Sequence, residues 1–250
     1  MSGAPAPRYD AIGRSYTGTR AQDPRIARAL LDALGPGARR VLNVGAGSGS
    51  YEPRDGREVV AVEPSPVMRA QRPAGAAPCV DARAEALPFP DGSFDAAMAV
   101  FSDHHWADRA AGLRELRRVA RRVVVLNWNP SSRRAFWLTR DYLTGLGYAG
   151  DEAWAEGRIA LGAREERVVP IPHDCRDGFL LAYWRRPEAY LDPVVRANIS
   201  VFALMGGREE AAFVARLRAD LASGAWAERN TDILGLAALD VGCRILVAES

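Results

Sequence analysis

The ten residues Val41-Leu-Asn-Val-Gly-Ala-Gly-Ser-Gly-Ser50 constrain this chain more than any other stretch. Val41, Leu42 and Val44 are strand formers, and they run straight into Gly45, Gly47 and Gly49. A residue without a Cβ accepts backbone angles and close approaches that other residues cannot. A strand that stops in such a turn leaves backbone N–H groups pointing at whatever lies above its end, which is where open α/β sheets bind ligands. The stretch therefore predicts a nucleotide-type pocket.

The surrounding pattern supplies a sheet for that turn to sit on. Asp23-Pro24 has the form of a helix N-cap with proline in the first turn, and Ile26, Leu30, Leu31 and Leu34 recur at helical spacing until Gly35-Pro36-Gly37. Apolar runs predict strands at about 40–44, 58–62, 77–80, 94–101 and 123–128. Ser65-Pro66 starts a helix holding Met68, and Leu113, Leu116 and Val119 mark another. Strands alternating with helical or loop crossovers predict an α/β fold with a doubly wound, mostly parallel sheet.

After residue 129 the pattern changes. Helical segments around 132–146 and 151–162 precede a strand at 167–171, then about sixty residues dense in Arg, Trp, Tyr and Phe with helical spacing near 209–221. The alternation of Val241, Cys243, Ile245 and Val247 predicts a closing strand over 239–248. The late helices read as a cap inserted between the last two strands. One domain is expected: a lead-in or lid over 1–22, a cofactor-binding core over 23–129, and the remaining sheet with its helical cap over 130–250.

Composition excludes several functions. The 33 basic and 31 acidic residues leave a formal charge of +2, which indicates neither a nucleic-acid nor an acidic-membrane partner. Every basic residue is arginine, so Schiff-base chemistry and a P-loop lysine are both excluded. Cys79, Cys175 and Cys243 are odd in number and far apart, with neither a disulfide framework nor zinc spacing, which favours a reduced, cytoplasmic setting. The first seven residues lack the apolar run of a secretion signal, and no stretch approaches a membrane span.

Two ligand types compete for the glycine turn. A dinucleotide site requires Gly-x-Gly-x-x-Gly, whereas here the third glycine falls one residue early and Ser50 takes its place, which disfavours an NAD-type oxidoreductase. Glu63 ends the second strand, 18 residues after Gly45, where a carboxylate can accept both hydroxyls of a ribose. Residues 41–49, residues 59–65 and the block Ala84-Glu-Ala-Leu-Pro-Phe-Pro-Asp-Gly-Ser-Phe-Asp95 together resemble the class I S-adenosylmethionine-dependent methyltransferases, in the small-molecule and ubiquinone-biosynthesis-like branch. The Tyr9-Asp-Ala-Ile-Gly13 lead-in also fits.

The resemblance implies a seven-stranded Rossmann-like sheet, S-adenosyl-L-methionine as cofactor and S-adenosyl-L-homocysteine as product. It implies that Gly45, Ala46, Gly47 and Gly49 pass beneath the methionine and ribose, with Glu63 on the ribose hydroxyls and Pro64, Ser65 and Met68 along the adenine. Many members carry an acidic adenine contact where this chain has Arg83, which leaves Ala84 and Glu85 as the adenine candidates. Phe101 and Ser102 would face the sulfonium, while Tyr16 and Arg20 could close over the cofactor, Arg20 pairing with its carboxylate or standing as a solvated surface residue.

Methyl transfer is an in-line displacement on an already activated carbon, so a protein must align the nucleophile and remove its proton. His104 and His105 are the candidate catalytic bases, with only one of two neighbours expected to face the pocket, and capping of the next helix is their structural alternative. Consecutive ligands in a turn rarely converge, so no metal is expected. Trp106, Trp128, His173, Tyr183 and Trp184 are the acceptor-binding candidates, the last three in a cap that either lids the site or merely covers the sheet. The expected function is methylation of a small-molecule acceptor on O, N or C, by a monomer or homodimer. The alternative is a cofactor-binding protein with non-methylating chemistry such as cyclisation, or with no catalysis.

Overall fold

The computed structural model describes residues 20–144, 150–203 and 205–249. The first helix among the described residues, α1 (Pro24–Leu34), begins where the Asp23 side chain accepts the Arg25 N–H at 2.9 Å and stops at Gly35. Ile26, Leu30 and Leu34 form its buried stripe. β1 (Arg40–Val44) leads into the glycine turn and is followed by β2 (Glu58–Val62), the single-turn helix α2 (Pro66–Arg69), β3 (Cys79–Val80) and β4 (Phe94–Val100). A 3-10 turn at Asp103–His105 precedes α3 (Arg109–Val119), which passes directly into β5 (Ala120–Trp128).

The second half holds α4 (Pro130–Ala135), α5 (Asp151–Leu161), β6 (Glu165–Val168) and the two-residue strand β7 (Ile171–Pro172). Among the described residues a 3-10 helix at Pro187–Leu191 follows, then α6 (Pro193–Ala197), α7 (Ser200–Ala203), α8 (Gly207–Ser223), α9 (Ala225–Arg229) and α10 (Thr231–Leu234). β8 (Ala238–Leu239) and β9 (Cys243–Glu249) close the described chain. The seven-stranded sheet has the order β3-β2-β1-β4-β5-β9-β6. Pairing is parallel from β3 through β5, and only β9 runs against its neighbours.

β1 lies between β2 and β4, so the chain leaves it in one direction and later returns on its other side. Such a reversal opens a crevice outside the carboxyl ends of the strands. β5, beside the central strand β4, is buried on both faces: Val123 and Val125 join Leu42, Leu113, Leu116 and Trp154 on one side, and Val124 and Leu126 join Leu30, Ile245 and the late helices on the other.

Several expected boundaries move for identifiable reasons. β4 ends at Val100 instead of continuing to 101, because Phe101 takes a left-handed conformation with φ 51°. The helix expected over 132–146 divides into α4 and a π-type turn at Leu138–Tyr142. The strand expected at 167–171 becomes β6 and β7, separated by Pro170, which has no N–H to donate to a ladder. The closing strand is likewise split, since Asp240 accepts the Gly242 N–H at 2.9 Å and Gly242 turns the chain at φ 93°. β8 pairs with β7 instead of extending β9. The late helices thus enter the chain between β6 and β9, the sheet's last two strands in sequence.

Candidate functional site

An open cleft of about 1040 Å³ lies above the ends of β1, β2 and β4. Its floor is the glycine turn. The Gly45 and Ala46 N–H groups both donate to the Val62 carbonyl, at 2.8 and 3.0 Å, so the turn is tied to β2. Gly45 has φ 68°, and a Cβ there would stand 2.6 Å from the Ser102 Cβ. Only a residue without a side chain lets β1 and the end of β4 approach this closely. Ser102 itself donates to the Val44 carbonyl at 2.9 Å, which locks the two strand ends together.

Glu63 is 7 % exposed at the edge of this floor. One carboxylate oxygen accepts the Gly47 N–H at 2.8 Å and the other the Ser65 N–H at 2.9 Å. Burial pushes its pKa up, and the two backbone donors oppose that shift. Each oxygen takes one backbone donor and keeps lone-pair capacity for another, so the group is fixed, buried beside the cleft and suited to a vicinal diol. Ser65 caps α2 by accepting the Met68 N–H at 3.3 Å, and Pro64 and Met68 line the cleft on that side. Ala84, Glu85 and Arg83 line it further along, with Glu85 accepting the Asp108 N–H at 3.1 Å. These residues fit an adenosyl group: a backbone floor, a diol acceptor and an apolar slot.

The candidate base borders the same cleft. His105 lines the cleft, whereas His104 is exposed outside it, with the two rings 3.9 Å apart. The turn is anchored from beneath by Asp103, which has no exposed surface. Its carboxylate accepts from Arg109 Nε at 2.7 Å and from the Asn127 amide, so α3 and the end of β5 both fix the position of the His105 backbone. Burial raises the Asp103 pKa and the Arg109 charge opposes that rise. Trp106 also borders the cleft and rests against Gly112 of α3, where a Cβ would be 2.4 Å from its ring.

Arg20 lines the cleft and has a partner within the chain: its Nε and Nη2 reach the two oxygens of Asp177 at 2.5 and 3.1 Å. Tyr51 donates to the same carboxylate at 3.0 Å, and burial raises the phenol's pKa with Asp177 adding to the rise. Tyr16 lies outside the described residues.

The acceptor candidates separate. Trp128 is half-buried behind the wall of the cleft, stacked on Phe101 at 4.5 Å and 8°. His173, Tyr183 and Trp184 do not line the cleft. Trp184 is fully buried, its indole N–H donates to the Ile171 carbonyl at 2.9 Å, and its own carbonyl accepts from Trp137. Tyr183 packs edge-on against Tyr190 at 5.5 Å, and the His173 N–H pairs with Ala237. For Trp184 the acceptor-lining expectation is corrected: its size and buried partner make it core of the late helices. Sequence reading missed Tyr51, Asp177 and Asn43, the last a buried amide at the end of β1 that also lines the cleft. The Asn inside the quoted strand motif was the one signal available; nothing local marks Asp177, 126 residues from Tyr51. Among the described residues there is no group of three or more potential metal ligands, and no helix is long and apolar enough to cross a membrane.

Comparison with known proteins agrees with this geometry. A family model described as a methyltransferase domain matches residues 42–126. A demethylmenaquinone methyltransferase of Thermus thermophilus is 37 % identical over 148 residues, covering 53 % of this chain and 66 % of that protein. Its counterpart from Beutenbergia cavernae is 36 % identical over 163 residues, 56 % of this chain and 67 % of the relative. The chain thus spans about two thirds of the length of these relatives. A crystal structure of a putative methyltransferase from an antibiotic biosynthesis pathway of Anabaena variabilis is 32 % identical with TM-score 0.80, covering 93 % of this chain and 99 % of that one. The cyclase SpnF, 19 % identical over 100 % of this chain and 99 % of its own with TM-score 0.55, shares the fold. The seven-stranded sheet and these matches establish that the chain belongs to the class I S-adenosylmethionine-dependent methyltransferases of ubiquinone-biosynthesis-like type.

Proposed function

We propose that this chain transfers a methyl group to a small-molecule acceptor on O, N or C, by in-line displacement. The observation that carries this reading is one cleft lined together by Glu63, the glycine turn and His105. When bound, S-adenosylmethionine supplies an electrophilic methyl on a sulfonium. Glu63 accepts from the ribose hydroxyls, the backbone of Gly45, Ala46 and Gly47 runs beneath the ribose and methionine, and Pro64, Met68, Ala84 and Glu85 border the adenine; Gly49 and Ser65 do not line the cleft, Ser65 being fully buried as the cap of α2. Phe101 and Ser102 face the sulfur from the end of β4. His105 takes the acceptor's proton as the methyl arrives, and Trp106 orients the acceptor beside it. Arg20, held by Asp177, covers the cleft from the N-terminal side.

The two quinone-type relatives favour an acceptor whose nucleophile is a ring carbon or oxygen made reactive by losing a phenolic proton, and a cleft bordered by Trp106, Tyr51 and Phe101 suits such a planar molecule. The test is incubation with the cofactor and a set of phenols, quinols and amines, followed by mass spectrometry. A gain of one methyl on an acceptor, with an equal amount of S-adenosylhomocysteine, is the expected result. Cofactor binding with a rearranged but unmethylated product would replace methyl transfer with cyclisation chemistry.

A further inference from the structure

Gly45 and Gly47 line the cleft, and the third glycine of the turn lies behind it. Gly49 has φ 95°, and a Cβ there would stand 3.4 Å from Glu52 Oε2 and 3.5 Å from Arg72 Nη1. The turn thus rests on an ion pair, with Arg72 Nη2 2.6 Å from Glu52 Oε1 and the two side chains 7 % and 4 % exposed. Neither residue lines the cleft. A pair this deep gains little net stability over apolar groups of the same size, because both charges give up their hydration. Its remaining contacts say what it does instead.

Arg72 Nη1 donates to the Gly47 carbonyl at 3.2 Å, and Nη2 donates also to the Ala77 carbonyl at 2.9 Å. Glu52 Oε2 accepts the Ala77 N–H at 3.1 Å. The Gly47 N–H is held separately, by Glu63 Oε2 at 2.8 Å. Both polar groups of Gly47 are therefore fixed, one by the carboxylate at the cleft and the other by the guanidinium behind the turn. Ala77 precedes β3, and the chain after β3 supplies Ala82, Arg83, Ala84 and Glu85 to the cleft. One pair thus ties the glycine turn to the chain after α2 and to the approach to β3. A planar guanidinium serves several acceptors in fixed directions, which a lysine ammonium on its flexible stem does not.

We infer that Arg72 is a positioning residue, and that the Glu52–Arg72 pair sets the binding conformation of the glycine turn before a ligand arrives. This inference rests on the reading of the cleft as the S-adenosylmethionine site. A turn fixed in advance spares the ligand the cost of ordering it, so affinity depends on a pair that lies outside the cleft.

The experiment measures calorimetric Kd values for S-adenosylhomocysteine on the full chain, at a temperature where each protein is folded. Arg72→Lys keeps a positive charge opposite Glu52 without the fork. Glu52→Leu combined with Arg72→Met replaces the pair by apolar groups of similar size, an exchange that buried pairs commonly tolerate. Kd should rise about ten-fold in both proteins. Adding Glu63→Ala to Arg72→Lys should raise Kd by less than the product of the two separate changes, because both act through Gly47. A pair that only stabilises the fold would leave the two changes multiplicative. Wild-type Kd in either folded variant, or fold-changes that multiply, would overturn the inference and leave the methyltransferase reading intact. Wild-type protein that binds neither S-adenosylhomocysteine nor S-adenosylmethionine would overturn both. If the apolar replacement does not fold, the two measurements on Arg72→Lys decide.

Discussion

The glycine turn and the late helices use side chains in opposite ways. Between Gly45 and Gly49 the chain omits bulk, so that backbone N–H groups and the end of β4 come within reach of a ligand. Between β7 and β8 it concentrates bulk, and Tyr183, Trp184, Tyr190, Phe202 and Phe213 pack into one another and onto Trp137 and Trp226. One region makes a binding surface from main chain, which tolerates few substitutions because geometry is its function. The other makes a hydrophobic body from interchangeable large residues and reaches the cleft only at its edges, through Asp177 and the Phe179 ring. Stability therefore depends mainly on the late helices, and ligand recognition on the turn.

The largest expected effect tests that division directly. Trp184→Ala removes a fully buried side chain and strands the Ile171 carbonyl, so unfolding free energy should fall by about 3–5 kcal/mol. Chemical denaturation measures the fall, and calorimetry on the fraction that remains folded should give an unchanged Kd for S-adenosylhomocysteine. A loss of affinity in that fraction would mean that the late helices shape the cofactor site and would break the comparison.

His105→Ala acts on the turn side, and its effect should appear in kcat. A base removed from the cleft costs roughly 10²–10⁴-fold in rate while cofactor affinity stays near the wild-type value. A variant that keeps its rate would remove His105 from proton transfer, the cap of α3 being Asp108.

Glu63 has a pH signature of its own. Burial raises its pKa above the ordinary carboxylate value of 4.5, so in the ligand-free protein its contribution to stability is fully present below that value and is lost as pH rises through the folded value. Ligand binding needs the ionised form, since the ribose hydroxyls donate to it. Affinity for S-adenosylhomocysteine should therefore weaken on acidification sooner than for an ordinary glutamate. Glu63→Ala should weaken binding by about 1–3 kcal/mol and make what remains less dependent on pH. Calorimetry across that range measures both; a pH-independent wild-type affinity would remove Glu63 from the ribose.

The same division explains what could be read from the chain. The floor of the site is contiguous: residues 41–50 state it, Glu63 follows at the end of the next strand, and local rules of strand, turn and cap cover both. The mostly parallel sheet was accessible for the same reason, whereas its strand order was not read, since β9 comes back beside β5 only after the late helices. The walls are non-local. Asp177 meets Tyr51 and Arg20 only because β7 and the chain after it return across the sheet, and no spacing rule anticipates a pairing over 126 residues. Trp184 misled because an aromatic beside two arginines has the same appearance in sequence whether it lines a cavity or fills a core. The left-handed backbone at Phe101 was hidden too, because the strand pattern runs smoothly through it and only packing against Trp128 and Phe179 turns it.

The smallest expected effect is the sharpest control on that distinction. His104 and His105 are adjacent and chemically identical, so sequence treats them alike, yet the 3-10 turn places His105 in the cleft and His104 in solvent. The anchor for this choice is Asp103, whose two buried hydrogen bonds fix the turn and with it the direction of each side chain. His104→Ala removes an exposed ring and should alter stability by no more than about 0.5 kcal/mol. Its kcat should match that of the wild type, because the side chain in the cleft is untouched. A His104→Ala protein that loses its rate while His105→Ala keeps it would show that the turn rotates when the acceptor binds.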